Sequence, residues 1–226
     1  MPPWSSGVVQ ARGTVAYAEA LVAMVAATAS RDAHTPDALW LLEHEPVYTL
    51  GANGRREHLH NPGSIPVVAS DRGGQVTYHG PGQIVLYCLL DLRRRGMGAR
   101  ALVTALEQAV IALLARWGVK GIARPEAPGV YVEGRKLASV GLRVRRGCSY
   151  HGVSLNVAMD LAPFGAIDPC GYPGLTMTQL VDLGISLSPS QAGADLAAHL
   201  IEQLPVPTPS FEGGSSLPPG TVPTLR

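Results

Sequence analysis

The run Arg72-Gly73-Gly74-Gln75-Val76-Thr77-Tyr78-His79-Gly80-Pro81-Gly82-Gln83 leads directly into the apolar segment Ile84-Val85-Leu86-Tyr87-Cys88-Leu89-Leu90. Gly73-Gly74 and Gly80-Pro81-Gly82 are turn signals, and an apolar segment this short that follows them reads as a core strand. The glycines themselves have two readings. They shape a hairpin between strands, or they let the backbone come closer to a bound molecule than a Cβ would allow. As a phosphate loop the run is poor, because no G-x-x-x-x-G-K pattern accompanies it. His79 is open in the same way, as a hydrogen-bonded structural histidine or as a site residue.

Working outward, the same punctuation recurs. Ala38-Leu39-Trp40-Leu41-Leu42 is bounded by Pro36 and Pro46 and predicts another core strand, followed by loop from 51 to 65. Further strands are expected at 66 to 69, 129 to 133, 137 to 145 and 151 to 157. Helices interrupt them. Val15, Ala18, Val22, Val25 and Ala29 recur every three or four residues, which predicts a helix with these on its buried face and Thr14 as its cap. The same stretch ends in Ala27-Thr28-Ala29 like a signal peptide, but only Arg12 precedes it and Glu19 interrupts it, and it is too short to cross a bilayer. Leu102, Leu106, Ala109, Val110 and Leu113 mark a second helix from Ala101 to Trp117, with Gly118 at its end. A short helix is expected near Thr178 to Leu183 and a longer one from Pro189 to Leu204. Strand pairs with helices inserted between them predict an α+β domain over residues 1–204, a mixed β-sheet with flanking helices. The proline-rich residues 205–226 are expected to form an irregular tail.

Composition narrows the function. The chain has 226 residues, 46% of them hydrophobic, which suits one domain with a sizeable core. Only 15% are charged, and the mean hydropathy of +0.14 excludes a disordered chain. A net charge of +1 gives no overall electrostatic case for nucleic acid. No membrane partner is expected either. Cys88, Cys148 and Cys170 are odd in number and form no C-x-x-C pair, so a reducing cytoplasm is the expected setting. Cys148-x-x-His151 is half of a metal site without a second half, and no metal is expected.

Cys170 differs from the other thiols. Cys88 lies in an apolar strand, where cysteine behaves as a small hydrophobe, whereas Asp168-Pro169-Cys170-Gly171 is a turn that leaves a thiol accessible. A free thiol with its pKa near 8.5 is only a few per cent thiolate at neutral pH, so a nucleophile here needs a neighbouring cation or base. His79, His151 and Lys136 are the candidates. Lys136, one of two lysines in the chain, belongs to Gly134-Arg135-Lys136-Leu137-Ala138-Ser139-Val140-Gly141. It stands at a strand mouth or is a solvated turn lysine. Ala138, Ser139 and Gly141 make a strand of small side chains that leaves room for a ligand.

Together these motifs resemble the octanoyltransferases of lipoate biosynthesis, the lipoyl(octanoyl) transferase family, over about residues 10 to 190. The resemblance rests on Leu42-Glu43-His44 through Tyr48-Thr49-Leu50-Gly51, on Arg72 to Gln83 and on Gly134 to Gly141. It continues in His151-Gly152-Val153-Ser154-Leu155-Asn156 and in Phe164 to Gly171. Tyr172-Pro173 departs from it where an aliphatic residue is more usual, and the C-terminal tail matches nothing in the family. The resemblance implies a fold like the catalytic domain of biotin and lipoate protein ligases. It implies transfer of an octanoyl group from acyl carrier protein to a lysine of a lipoyl domain, in 2-oxoacid dehydrogenases and glycine cleavage, by a monomer with no cofactor.

Carried onto this sequence, the resemblance makes Cys170 the nucleophile and Lys136 the partner that lowers its pKa and then acts as base. It assigns the acyl pocket to Arg72, Gly73, Gly74, Gln75, Val76, Thr77, Tyr78, His79, Ser139, Val140, Gly141, Gly152, Val153 and Ser154. A buried eight-carbon chain contributes about 5 kcal/mol at roughly 0.8 kcal/mol per methylene, enough for coarse length selection. Amides near Cys170 and Gly171 are candidate oxyanion donors. Arg93-Arg94-Arg95 and Arg143, Arg145 and Arg146 are candidate docking charges for an acidic carrier, or solvated surface arginines. The rivals are an ATP-dependent lipoate or biotin ligase of the same fold, a Cys-His thioesterase using His79 or His151, and a non-catalytic acyl-binding module.

Overall fold

The computed structural model describes residues 7–207. In chain order the elements are β1 (Val8–Val15), α1 (Tyr17–Ala29), β2 (Ala38–His44), β3 (Val47–Leu50), β4 (Val67–Ala69), β5 (Val76–His79) and β6 (Gln83–Leu89). After these come α2 (Ala99–Ala115), β7 (Ile122–Ala123), β8 (Gly129–Val132), β9 (Arg135–Arg145), β10 (Cys148–Asn156) and α3 (Pro189–Gln203). Seven strands form one sheet in the order β1-β2-β6-β10-β9-β8-β7, and β4-β3-β5 form a second, smaller sheet. β1 runs parallel to β2 and every other pair of the large sheet is antiparallel, so the sheet is mixed. The parallel pair needs a crossover, and α1 supplies it.

The apolar run of β6 is continuous because both of its faces are covered. Ile84, Leu86 and Cys88 pack with Leu102, Leu106 and Val110 of α2 and Leu196 and Leu200 of α3. Val85, Tyr87 and Leu89 face the other way, onto Ala20 and Met24 of α1. α3 opens where the sequence provides for it: Ser188 accepts from the Gln191 amide and the Gln191 side chain accepts from the Ser188 amide, a reciprocal cap with Pro189 in the first turn.

Several expectations are corrected. Thr14 does not cap α1; it lies in β1 opposite Glu43, just past a register shift between Ala11 and Thr14, and Ala16 precedes the helix without a side-chain cap. The buried face of α1 is Tyr17, Ala20, Met24 and Thr28, while Val22 is 69% exposed. A helix this rich in Ala and Val is apolar all round, so its spacing cannot choose a face; the sheet chooses. β3 and β5 are strands beyond those expected: Val47–Leu50 falls between the strand expected at 38–42 and the loop expected at 51–65, and Val76-Thr77-Tyr78-His79 mixes polar and apolar residues between glycines. The helix expected near 178 to 183 is a single 3₁₀ turn at Val181–Leu183. The expected tail lies outside the described residues from 208 onward.

Arg94 and Arg95, candidates for docking charges or solvated surface arginines, are neither: both turn inward to Asp37. Arg95 Nε reaches Asp37 Oδ2 at 2.6 Å, Arg94 Nη2 reaches Oδ1 at 2.8 Å, and Arg31 Nη2 joins them on Oδ1 at 2.6 Å. Asp37 is 1% exposed and also accepts the Asp91 amide at 2.8 Å, which ties the start of β2 to the segment leaving β6. No helix among the described residues is long and apolar enough to cross a membrane.

Candidate active site

β8 and β9 form a hairpin whose turn is Glu133-Gly134, and the hairpin carries a bulge. Val130 faces Ala138 but Tyr131 faces Lys136, so Leu137 is the extra residue. Such a bulge re-aims the residue beside it. Lys136 is 0% exposed, which excludes the solvated turn reading. Its backbone is held on the open side by the 176–178 segment, through Thr176 O and the Thr178 amide at 2.9 Å each. Its ammonium donates to Pro128 O at 3.0 Å, to Ala127 O at 3.3 Å and to Cys170 Sγ at 3.0 Å. Three protons meet three acceptors, so the buried charge is fully satisfied. Gly129 makes the approach possible. Its φ is +142°, and a Cβ there would lie 2.1 Å from Ala138 O and 2.8 Å from Lys136 Cε.

Cys170 is presented by a tight 3₁₀ turn, Pro169–Gly171, in which it takes φ +59° and ψ 14°, a left-handed conformation that costs a non-glycine residue of order 1–3 kcal/mol. The neighbouring loop holds it there. Asp168 accepts from His58 Nδ1 and from His60 Nε2, each at 3.0 Å, and its amide donates to His58 O at 2.9 Å. These two hydrogen bonds, His58 first, draw the Asp168 carboxyl below its ordinary range. Nothing in the sequence placed His58 or His60 at the site; the loop from 51 to 65 carries no periodicity that would have done so. Of the amides expected as oxyanion donors, that of Gly171 donates to Asp168 O at 2.9 Å.

Cys170 opens onto a cavity of about 520 Å³ between the large sheet and the Gly-rich run. Every residue expected in the acyl pocket lines it except Tyr78. Strand alternation in β5 turns Thr77 and His79 toward the cavity and Tyr78 away, against Tyr48 and Phe164. Val85, Val140, Leu142 and Val153 give the cavity apolar walls. The small residues of β9 serve partly to seat the loop, since a Cβ on Gly141 would come within 2.9 Å of Gly73 O. Arg72 is the fastener. Its guanidinium, 9% exposed, donates to Thr49 O, Thr49 Oγ1, Gly73 O and Gln75 O. Tyr172, the departure from the family pattern, lines the cavity and donates to Glu126 O at 3.2 Å.

Histidines and tyrosines form the polar end of the same region. His44 donates from Nδ1 to Val15 O at 2.8 Å, so its Nε2 accepts from Tyr87 OH at 2.6 Å. Burial lowers its pKa to about 4 and keeps the ring neutral. His79 stacks on Tyr17 and bonds Gln83 Oε1 at 2.6 Å, and burial holds it well below the usual histidine range. His151 donates to Asp71 Oδ1 at 2.9 Å, and Tyr150 OH donates to the other oxygen. Burial lowers His151 as well, against the pull of Asp71. Of the three candidate partners for Cys170, only Lys136 is hydrogen-bonded to it; the histidines are engaged elsewhere.

A thiol hydrogen-bonded to a buried lysine at the rim of an apolar cavity suits acyl transfer, and comparison with known proteins gives the same class. Residues 16–201 match the family model of the lipoyl protein ligase A/B catalytic domain. An octanoyltransferase of Alkalilimnicola ehrlichii is 60% identical over 206 residues, covering 90% of this chain and 96% of that one. One from Dechloromonas aromatica is 56% identical over 204 residues, covering 90% and 98%. Among solved structures, the bi-partite lipoate protein ligase of Thermoplasma acidophilum superposes with a TM-score of 0.71 at 15% identity, covering 88% of this chain and 83% of that one, which shows a shared fold. The chain belongs to the lipoyl protein ligase A/B catalytic-domain family and, within it, to the octanoyltransferases, the acyltransferases of lipoate biosynthesis.

Proposed function

We propose that the protein takes octanoyl from octanoyl-acyl carrier protein and delivers it to the lysine of lipoyl domains, in 2-oxoacid dehydrogenases and glycine cleavage, through a thioester on Cys170. The contact of 3.0 Å between Lys136 Nζ and Cys170 Sγ is the observation that carries this reading. An ammonium donating to sulfur stabilises a thiolate over a thiol. The thiolate attacks the carrier thioester, a new C–S bond forms on Cys170, and the carrier sulfur leaves and takes a proton from Lys136. Lys136 is then a neutral amine whose two remaining protons stay on Ala127 O and Pro128 O, with its lone pair free in the third direction. In the second half the lipoyl-domain amine attacks, Lys136 takes the surplus proton, and Cys170 departs as thiolate. The ion pair is restored, and thioester to amide is downhill without a nucleotide.

The carrier would meet a basic surface beside the cavity. Arg143 and Arg145 are exposed at alternate positions of β9, Arg146 follows them, and the Arg93 side chain lies over Gly147 next to that turn. We expect a monomer working in the cytoplasm. The test is octanoyl transfer between purified carrier and lipoyl domain with no nucleotide present, comparing the wild type with R143E/R145E. Transfer without nucleotide is expected, and the double reversal is expected to slow it more at low salt than at high salt. A requirement for ATP would mean adenylate chemistry instead, and an equal loss at both salts would remove the docking role.

A further inference from the structure

Glu107 is a buried carboxylate that the cycle above does not use. It sits on α2 among Leu106, Ala109 and Val110 and is 8% exposed. A carboxylate on the core side of a helix needs a partner. Its partner is the amide of Gly129, which donates to Glu107 Oε1 at 2.8 Å. Gly129 directly follows Ala127 and Pro128, whose carbonyls receive two of the three Lys136 protons. Ala127 O is fixed a second time, by Tyr131 OH at 2.8 Å. Burial pushes the Glu107 carboxyl up, and the Gly129 amide and then the Lys136 charge pull it back.

We propose that Glu107 is a positioning residue for octanoyl transfer: by holding the Gly129 amide it sets the two carbonyls that aim the Lys136 ammonium at Cys170. The inference rests on the Cys170–Lys136 reading. With two protons committed to Ala127 O and Pro128 O, the third direction of the tetrahedral ammonium is fixed, and it points at sulfur. Releasing the 127–129 segment frees the ammonium to turn, and the sulfur loses its donor. The same clamp directs the lone pair of the neutral amine in the second half-reaction. Glu107 touches neither substrate nor sulfur and acts only through this segment.

The test compares E107D, which keeps the charge but withdraws the oxygen, E107L, which removes both, and E107Q, which keeps an acceptor oxygen. Three quantities are read: thermal unfolding, kcat and KM for transfer, and the pH profile of iodoacetamide alkylation mapped to Cys170. In E107D and E107L, kcat is expected to fall about tenfold or more with KM unchanged, and the alkylation profile to move to higher pH. E107Q should stay close to wild type in both. A wild-type alkylation profile in E107D would overturn the proposal, and so would an E107Q as impaired as E107L; if E107L does not fold, E107D decides alone. K136M is run in parallel. If its alkylation profile also matches wild type, the Lys136 reading itself has failed; if K136M shifts and E107D does not, only the role of Glu107 is lost.

Discussion

Replacing Lys136 with Met is expected to reduce octanoyl transfer by about 10²-fold or more, because both half-reactions slow and the slower one sets the rate of the cycle. Without the ammonium the sulfur loses the donor that favours a thiolate, which costs about 10 to 10² in the first half-reaction. Loss of a positioned base costs about a further 10² or more in the second. Met has a similar length and fills the buried channel beside Gly129, so the fold is expected to survive, although Pro128 O loses the Lys136 donor and Ala127 O keeps Tyr131 OH. The two losses separate with pH in single-turnover assays. Alkaline buffer favours thiolate without help from an ammonium, so acylation of K136M should recover at high pH while deacylation by the lipoyl domain lags. A variant that acylates at the wild-type rate at pH 7 would remove Lys136 from the mechanism.

The largest effect on stability is expected at Asp37→Ala. Four donors converge on that carboxylate, from Arg31, Arg94, Arg95 and the Asp91 amide, and it is 1% exposed. Breaking a buried pair by removing one partner costs about 3–5 kcal/mol, because the remaining charge stays buried without compensation. Here three guanidiniums lose the same counter-charge. Thermal unfolding followed by circular dichroism should show a midpoint lowered by about 10 °C or more. A shift of only one or two degrees would mean that the arginines find other partners, such as the neighbouring Asp91. Asp37 lies outside the cavity, so residual folded enzyme should keep its KM.

Much of the fold was readable because its signals are local. Pro36 and Pro46 bracket β2, Gly80-Pro81-Gly82 precedes the apolar run of β6, and the stripe of Leu102, Leu106 and Leu113 ending before Gly118 marks α2. What failed depended on neighbours. The face of α1 is set by the sheet it covers, and Thr14 continues β1 because β2 lies beside it in register. Charge clusters were the least legible: Arg93, Arg94 and Arg95 are consecutive in sequence, yet Arg93 is exposed and Arg94 and Arg95 turn inward to Asp37, 57 and 58 positions away. At the site, the residue types that bear chemistry were readable from turns and small-residue strands. Their supports were not. Glu107 reaches the dyad through the Gly129 amide and His58 through the Asp168 carboxylate, contacts made only by tertiary folding, and no spacing rule connects a helix glutamate to an amide in a distant hairpin.

The decisive experiment is intact-mass spectrometry of the protein after mixing with octanoyl-acyl carrier protein alone, with peptide mapping of any adduct. One octanoyl group on Cys170 is expected, lost again when a lipoyl domain is added and absent from Cys170→Ala. An octanoylated lipoyl domain formed by Cys170→Ala, or an adduct mapped to any other residue, would contradict a cycle in which this sulfur carries the acyl group.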